Sequence, residues 1–277
     1  MTYFNKVTEW LLNAGTSVPT SVRSASMKTF RLIASVITLL TLASFTAAAQ
    51  APAKPPLRVI FVSGAESYNT DQGFADLADY LRREHGMECE VLRMSPDQTE
   101  IVGIERLLQA DTAVFHVRRK TLNPQNLAVL KRFFASGKGF VALRSTSHGW
   151  ENWREFDTEV LGAKYGGPGG GNFGVATKLH FKNHPIWRGV EGLDTKKDLY
   201  RVTEVAPDVT VILEGETRNG TVPVGWTRPH HSSRLFYLAL GYQQDMEQPG
   251  FRRAIANALS WVTAPASAPG AEKKRQR

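Results

Sequence analysis

One stretch in the middle of the chain decides the fold, and it reads Gly139-Phe140-Val141-Ala142-Leu143-Arg144-Ser145-Thr146-Ser147-His148. Its first five residues are small or apolar, as in a strand that is buried on both faces, and its last five are polar or charged. Ligands of open α/β sheets bind beyond the carboxyl ends of the parallel strands. We therefore expect a functional site in the polar half of this stretch, at Arg144, Ser145, Ser147 and His148.

Strand-like and helix-like segments alternate on the amino-terminal side of this stretch. The predicted strands cover 57–62, 89–92, 112–117 and 139–143, and the predicted helices cover 74–86, 101–108 and 124–136. The third helix is the best delimited, because Asn123 is a favoured cap, Pro124 suits the first helical position and Gly137 suits the end. This alternation predicts an α/β domain with a parallel sheet that carries helices on both faces.

The pattern is less regular after residue 150. A helix is expected over 153–161, and the next thirteen residues, 162–174, contain seven glycines, which is typical of a long mobile loop. The remaining predicted strands are 175–181, 199–202 and 209–213, followed by a hairpin of 222–226 with 234–240 and a final helix over 249–262. We interpret 57–263 as a single domain.

Both ends of the chain differ in composition from this domain. Residues 1–49 predict a signal peptide that starts at Met27, because a basic start, an apolar run of 14 residues and a small-residue motif follow one another, with cleavage near Ala49. The run is shorter than the ~20 residues of a membrane span, so we expect a cleaved secretory signal and a periplasmic or secreted protein without a stable membrane span. An uncleaved anchor is the open alternative. Residues 50–56 read as a linker and 264–277 as a disordered basic tail.

Charge and cysteine content exclude several classes of function. The chain of 277 residues has a formal charge of +8, but without residues 1–49 and 271–277 it holds 26 basic against 24 acidic side chains. This balance does not predict nucleic-acid binding. The single cysteine, Cys89, excludes an internal disulfide and lies in a predicted strand, where packing is the expected role. No glycine-rich motif of the dinucleotide-binding type follows the first strand, so a dinucleotide cofactor is not expected. The oligomeric state stays open.

Several local phrases resemble the ThuA-like, or trehalose-utilisation, family. They are Gly137-Lys138-Gly139-Phe140-Val141-Ala142-Leu143, Asn183-His184-Pro185-Ile186, Asp198-Leu199-Tyr200, Pro223-Val224-Gly225-Trp226, Arg234-Leu235-Phe236-Tyr237-Leu238, and Arg144-x-x-Ser147-His148 followed by Trp153-x-x-Phe156-Asp157. The resemblance implies a flavodoxin-like three-layer sandwich with a mainly parallel central sheet, of the class I glutamine amidotransferase-like type. It also implies a link to sugar or glycoside metabolism.

The chain departs from this family at four places where its members commonly carry histidines. Tyr68, Arg144, Gly167 or Pro168, and Tyr242 stand near those places. Histidine is the usual side chain for proton transfer near neutral pH and the commonest metal ligand, so the resemblance leaves two alternatives open. The chain is either an enzyme of hydrolase or isomerase type or a carbohydrate-binding or interaction module that has lost catalysis.

Glutamine amidotransferase activity is not expected, because that reaction needs a cysteine after the central strand and this chain has Arg144-Ser145 there. Ser147 and His148 are sequence neighbours whose side chains usually point apart. A serine bound to the turn backbone is therefore the expected arrangement, with Ser–His hydrolysis as the alternative. His180 and His184 do not predict a metal pair, since their segment is extended. No metal and no cofactor are expected, although a divalent ion stays open. His230 and His231 are predicted at an exposed hairpin tip.

The candidate site follows from these arguments. His148 and Asp198, an acidic position of the family, are the candidate catalytic residues. The candidate substrate-binding residues are Glu66, Tyr68, Arg119, Arg144, Ser147, Trp150 and Tyr242. Guanidinium groups bind vicinal hydroxyls, carboxylates or phosphates, and an aromatic ring such as that of Trp150 can stack on the apolar face of a sugar. The expected ligand is a small-molecule sugar or glycoside in a crevice after the first, third and fourth strands.

Overall fold

The computed structural model describes residues 55–166 and 174–265, which belong to one compact unit. The predicted signal peptide, most of the predicted linker, most of the basic tail, and Gly167 and Pro168 lie outside the described residues. The strands are β1 Arg58–Gly64, β2 Glu88–Arg93, β3 Thr112–Val117, β4 Phe140–Leu143, β5 Ala163–Tyr165, β6 Lys178–Phe181, β7 Val202–Val205, β8 Thr210–Thr217, β9 Gly220–His230 and β10 Ser233–Leu238. The α-helices are α1 Thr70–His85, α2 Pro124–Ala135, α3 Gln243–Glu247 and α4 Pro249–Thr263.

The central sheet of the described residues has eight strands in the order β2-β1-β3-β4-β10-β9-β8-β6. Its first five strands are parallel, and β9, β8 and β6 extend it with antiparallel pairs. The order of the parallel half is that of flavodoxin-like sheets. The predicted fold class is therefore confirmed, and the predicted closing hairpin is the β9–β10 pair.

Helices cover both faces of the parallel half. On one face, Phe61 of β1 meets Phe74 of α1, with 5.1 Å between ring centroids. On the other face, Phe115 of β3 packs against Phe134 of α2 at 5.0 Å. Helix α4 lies so close to the sheet that a Cβ atom on Gly139 would stand 2.1 Å from a main-chain oxygen of α4. These contacts produce the expected three layers.

Local sequence signals explain where the two long helices of the parallel half begin and end. The Asn123 side chain accepts a hydrogen bond from the amide of Asn126, so it caps α2 as predicted. Gly86 follows α1 with φ of +60°, a left-handed conformation that glycine adopts without strain. Because the helices begin or end at these residues, the strands that follow them are fixed in position. The loops at the carboxyl edge of the sheet are fixed with them.

Three predicted elements and one predicted exposure are wrong in detail. The second predicted helix is only a six-residue 3₁₀ helix, Ile104–Gln109, and the helix predicted over 153–161 is a single π-type turn, Asp157–Leu161. The strand predicted over 199–202 is a loop before β7, because its apolar residues Leu199 and Tyr200 enter the core as loop residues. His230 is also not exposed: its Nε2 atom donates to the carbonyl of Phe134 at 2.7 Å.

Candidate functional site

The turn after β4 is a short 3₁₀ helix, Arg144–His148, that begins with a left-handed residue, since φ of Arg144 is +41°. Thr146 fastens the turn to its surroundings, because its hydroxyl shares one proton between the carbonyl of Phe115, at 2.9 Å, and that of Leu143, at 2.7 Å. The same oxygen accepts a bond from the amide of Val117. The turn is thus held against the end of β3, and its side chains have fixed directions.

Arg144 is buried in a cluster of tyrosine rings, and its exposed fraction is 2%. Its guanidinium donates to the carbonyls of Ala239 at 3.0 Å and Asp198 at 2.9 Å, and to the hydroxyl of Tyr242 at 3.2 Å. It also lies 4.5 Å from the ring centre of Tyr200 and 4.2 Å from that of Tyr242. We call Arg144, Tyr68, Tyr200 and Tyr242 the tyrosine–arginine cluster.

No carboxylate of the described residues forms an ion pair with Arg144. Guanidinium groups do not lose their proton in proteins, so the cluster holds a buried positive charge. Main-chain carbonyls and ring faces stabilise it instead of an anion. The hydroxyls of Tyr68 and Tyr200, which are 2.6 Å apart, close the other side of the cluster.

A pocket of 380 Å³ opens next to the cluster, between the turn after β4 and the segment that leads to β5. We call it the His148 pocket. It is lined by Arg119, Ser147, His148, Gly149, Trp150, Glu151, Trp153, Arg154, Phe156, Asp157 and Tyr165. Its lining combines four aromatic rings with charged and hydrogen-bonding side chains, which is the usual composition of a small-molecule site.

His148 is half-buried at the edge of this pocket. Its ring stacks on Tyr165, with 4.0 Å between centroids and 21° between planes. Burial lowers the pKa of His148 to about 3, and the positive charges of Arg119 and Arg118 add to this effect. The imidazole is therefore neutral at physiological pH, and it contributes hydrogen-bonding atoms rather than a charge.

Ser147 and His148 lie closer together than their adjacency predicts, because Ser147 Oγ is 3.2 Å from His148 Nδ1. Ser147 is nevertheless buried, and its hydroxyl donates to the carbonyl of Arg144 at 3.2 Å, as expected for a serine that binds the turn backbone. A hydroxyl has only one proton, so in this arrangement Nδ1 of His148 is the donor. That direction is the reverse of the one that activates a serine nucleophile.

The turn after β3 supplies two exposed arginines, Arg118 and Arg119. Arg119 has a left-handed backbone with φ of +51°, and its amide donates to the carbonyl of His148 at 3.1 Å. Among the described residues neither guanidinium forms an ion pair. Arg119 lines the His148 pocket, and its donors are available to a ligand.

Glu66 is not one of the residues that line the His148 pocket. Both of its carboxylate oxygens accept from Lys120 Nζ, at 2.8 and 2.9 Å, and Lys120 also donates to Gln98. Partial burial of Glu66 opposes its ionisation, but the hydrogen bond from Lys120 prevails, so the pKa of Glu66 lies below its ordinary value. The carboxylate of Glu66 is thus engaged with lysine.

Asp157 is a pocket residue that sequence reasoning did not single out. Its two carboxylate oxygens accept from the amides of Thr158 and Tyr165, each at 2.8 Å, and burial raises the pKa of the carboxyl group. Each oxygen keeps a further lone pair for a ligand hydroxyl. The only sequence signal was its place in the phrase Trp153-x-x-Phe156-Asp157. The bond that it accepts from the amide of Tyr165 in β5 joins residues eight positions apart, which is not a helical spacing.

The structure divides the predicted site residues into groups. Arg119, Ser147, His148 and Trp150 line the pocket, whereas Arg144, Tyr68 and Tyr242 belong to the tyrosine–arginine cluster. Tyr200 joins the two groups, because its ring contacts both His148, at 5.4 Å, and Arg144. The half-buried Asp198 meets the cluster through its main-chain carbonyl, and Glu66 stays with Lys120.

Comparison with known proteins agrees with this fold. Residues 58–262 match the family described as "ThuA: Trehalose utilisation". The chain belongs to the ThuA family. A ThuA-like protein from Bacteroides uniformis has a solved structure that superposes with a TM-score of 0.60 at 15% identity, covering 78% of this chain and 95% of that one. One from Parabacteroides merdae gives 0.57 at 12% identity, covering 76% and 91%. A search of curated proteins gave no match.

The described residues hold neither a cluster of metal ligands nor a membrane-spanning helix. Residues 55–166 and 174–265 contain no group of three or more histidine, cysteine, aspartate or glutamate side chains that could hold a metal ion. The helices in the same ranges are all too short or too polar to cross a lipid bilayer.

Proposed function

We propose that the His148 pocket binds a sugar or glycoside. The observation that carries this proposal is the pairing of ring faces with planar polar groups in one pocket: Tyr165 and Trp153 provide rings, and Arg119 and Asp157 provide donors and acceptors. A sugar presents an apolar face and a rim of hydroxyls, and this lining complements both. The volume of 380 Å³ lies in the range of small-molecule sites.

Arg119 and Asp157 divide the hydrogen bonding of such a ligand between them. The guanidinium of Arg119 can donate two parallel bonds to neighbouring hydroxyl oxygens. The carboxylate of Asp157 can accept from a third hydroxyl without losing its bonds to the main chain. His148 adds the lone pair of Nε2. In this proposal Arg144, Tyr68 and Tyr242 support the pocket through Tyr200, and Glu66 and Asp198 do not touch the ligand.

Binding without turnover is the function that the geometry supports best. The hydroxyl of Ser147 is bound to the turn backbone, and the low pKa of His148 makes its imidazole a weak base. A second candidate is an enzyme that moves a proton on a glycoside or keto-sugar. The raised pKa of Asp157 favours that candidate, because a carboxyl group that holds its proton longer can serve as a general acid.

Location and cofactor use are part of the proposal. We propose that residues 1–49 direct export and are removed near Ala49, which would place the domain in the periplasm or outside the cell. We propose that binding needs no cofactor and no metal. Determining the amino-terminal residue of the protein recovered from cells tests the first point, and a start at Met1 or Met27 would contradict it. Titration with and without a chelator tests the second.

The experiment for the pocket is a calorimetric titration of the full chain with glucose, trehalose and a keto-sugar, beside the variants Arg119→Ala and His148→Ala. We expect saturable binding of at least one sugar, and a loss of about tenfold in affinity for each variant, as for one hydrogen-bonding group to a ligand. His180→Ala is the matched control, since His180 lies on β6 and bonds Glu216. Equal affinities of all four proteins, or no binding, would overturn the proposal. Product formation that needs His148 or Asp157 would favour the enzyme.

A further inference from the structure

A second pocket, of 420 Å³, lies beside the first. It is lined by Lys131, Phe134, Ala135, Trp153, Glu159, Val160, Arg228, Pro229, His230 and His231. We call it the His231 pocket. It lies between helix α2, the π-type turn and the tip of the β9–β10 hairpin, and none of the candidate residues of the sequence analysis falls in it.

The two pockets are neighbours because one side chain and one turn belong to both. Trp153 lines each of them. The π-type turn contributes Asp157 to the His148 pocket, beside Phe156 that precedes it, and contributes Glu159 and Val160 to the His231 pocket. Trp153 therefore stands at the border of both pockets, where it can contact a ligand of either one.

Trp153 is fixed in a position that suits such a ligand. Its indole Nε1 donates to Glu159 Oε2 at 3.1 Å, and its ring packs against Phe156 with 5.1 Å between centroids. The ammonium group of the exposed Lys131 lies 5.1 Å from the ring centre. A solvated lysine is a mobile cover, so a flat apolar group can replace it on the indole face at little cost.

The lining of the His231 pocket also includes hydrogen-bonding side chains. His230 is buried, and burial lowers its pKa to about 4, so its ring is neutral. Since its Nε2 donates to the carbonyl of Phe134, its Nδ1 is an acceptor. His231 is exposed at the hairpin tip, and the two carboxylate oxygens of Asp208 share the Nε–H of Arg228. The pocket thus repeats the combination of a ring face with planar polar groups.

We propose that the His231 pocket is a subsite for a second sugar ring, and that the protein binds disaccharides or longer glycans that lie across Trp153. This inference rests on the proposed function, because the first ring must occupy the His148 pocket. Volumes of 380 and 420 Å³ give each ring a pocket of its own. The shared indole is placed to stack on the ligand where the two rings join.

The test compares a ligand that has one sugar ring with ligands that have two. The full chain is titrated in a calorimeter with glucose, trehalose, maltose and cellobiose. We expect at least one disaccharide to bind about tenfold more tightly than glucose, from one added aromatic contact and its hydrogen bonds. Trp153→Leu should remove this advantage, and Trp153→Phe, which keeps a ring, should restore part of it. His231→Gly should reduce it without changing glucose affinity, because His231 lines only the second pocket.

Glycine is chosen at position 231 because φ there is +49°, a conformation that glycine adopts without strain. Lys178→Ala on β6 is the control, and the melting temperature of every variant reports whether it folds. If glucose and all three disaccharides bind equally, or if the advantage survives in both Trp153→Leu and His231→Gly, the second subsite is refuted while the proposed function stands. If no sugar binds to the wild type, both are refuted.

Discussion

Two arginines that follow neighbouring parallel strands have opposite surroundings. Arg119 comes two residues after β3 and Arg144 directly after β4, and both have a left-handed backbone, with φ of +51° and +41°. Arg144 is 2% exposed and bonds two carbonyls and a tyrosine hydroxyl. Arg119 is exposed, and among the described residues its guanidinium has no ion-pair partner.

The comparison separates residues that hold the site from residues that can bind a ligand. A left-handed backbone costs a residue other than glycine roughly 1–2 kcal/mol. The contacts of Arg144 offset this cost within the protein, whereas the guanidinium of Arg119 has no hydrogen bond or ion pair within residues 55–166 and 174–265 that would offset it. We infer that Arg144 stabilises the carboxyl edge of the sheet and that Arg119 acts on what enters the pocket.

The largest effect expected from this comparison is the loss of stability in Arg144→Met. Removing the guanidinium leaves the carbonyls of Ala239 and Asp198 without a donor, so the free energy of unfolding should fall by about 3 kcal/mol. Urea denaturation followed by circular dichroism measures this. Arg119→Met is the matched control and should change stability by less than about 0.5 kcal/mol. Similar losses in the two variants would contradict the distinction.

The next effect is on binding, in Arg119→Gly. Glycine relieves the left-handed strain, so the melting temperature should stay the same or rise, while the affinity for the sugar found in the titrations should fall about tenfold. Calorimetry and a melting curve on the same sample show both results. A variant that loses stability and keeps its affinity would assign Arg119 the role that we give to Arg144.

A smaller effect concerns the dependence of stability on pH. The pKa of His148 is lowered to about 3, against about 6.5 in an unfolded chain, so the unfolded state binds more protons between these values. Stability should therefore be full above pH 7 and fall as the pH drops from 6.5 toward 4. His148→Gln should flatten this dependence, measured as unfolding free energy at pH 7, 5.5 and 4.5. His231→Gln, at the exposed hairpin tip, should not.

His184 and His230 should leave part of that slope in place, because burial lowers the pKa of each to about 4. If the stability of the wild type rises on acidification, the lowered pKa of these histidines is contradicted.

The smallest effect is a change in the titration of His148 itself. Burial is the main cause of its low pKa, and the charge of Arg119 comes next. Arg119→Gln should therefore raise the pKa of His148 only modestly, which the pH dependence of its ring signals in NMR spectra would show. A downward shift, or none, would mean that Arg119 does not act on the pocket as proposed.

The sequence predicted those parts of the fold that local patterns determine. Strand β3 has the predicted bounds, 112–117, and Asn123 caps α2, because a run of apolar residues and a capping side chain act within a few positions. The turn after β4 was also found from its sequence alone. The ThuA-like resemblance implied a flavodoxin-like sandwich with a mainly parallel sheet, and the order of the strands comes from the structure.

The sequence did not predict the parts of the site that depend on distant contacts. The burial of Arg144 requires Tyr68 and Tyr200, whose hydroxyls bond although the residues are 132 positions apart. Asp157 acts as a pocket residue only because the turn it begins returns to Tyr165 of β5. Leu199 and Tyr200 suggested a strand, since burial in a loop and burial in a sheet leave the same apolar signal.

The position of β10 between β4 and β9 has a consequence for synthesis of the protein. β4 pairs with β10 from Phe140 and Leu235 onward, and these partners are far apart in the chain. During translation the edge of β4 therefore waits, unpaired, until almost the whole domain has left the ribosome. A nascent or truncated chain that ends before Ser233 would expose that edge to other chains, so premature termination should yield aggregates rather than a smaller folded protein.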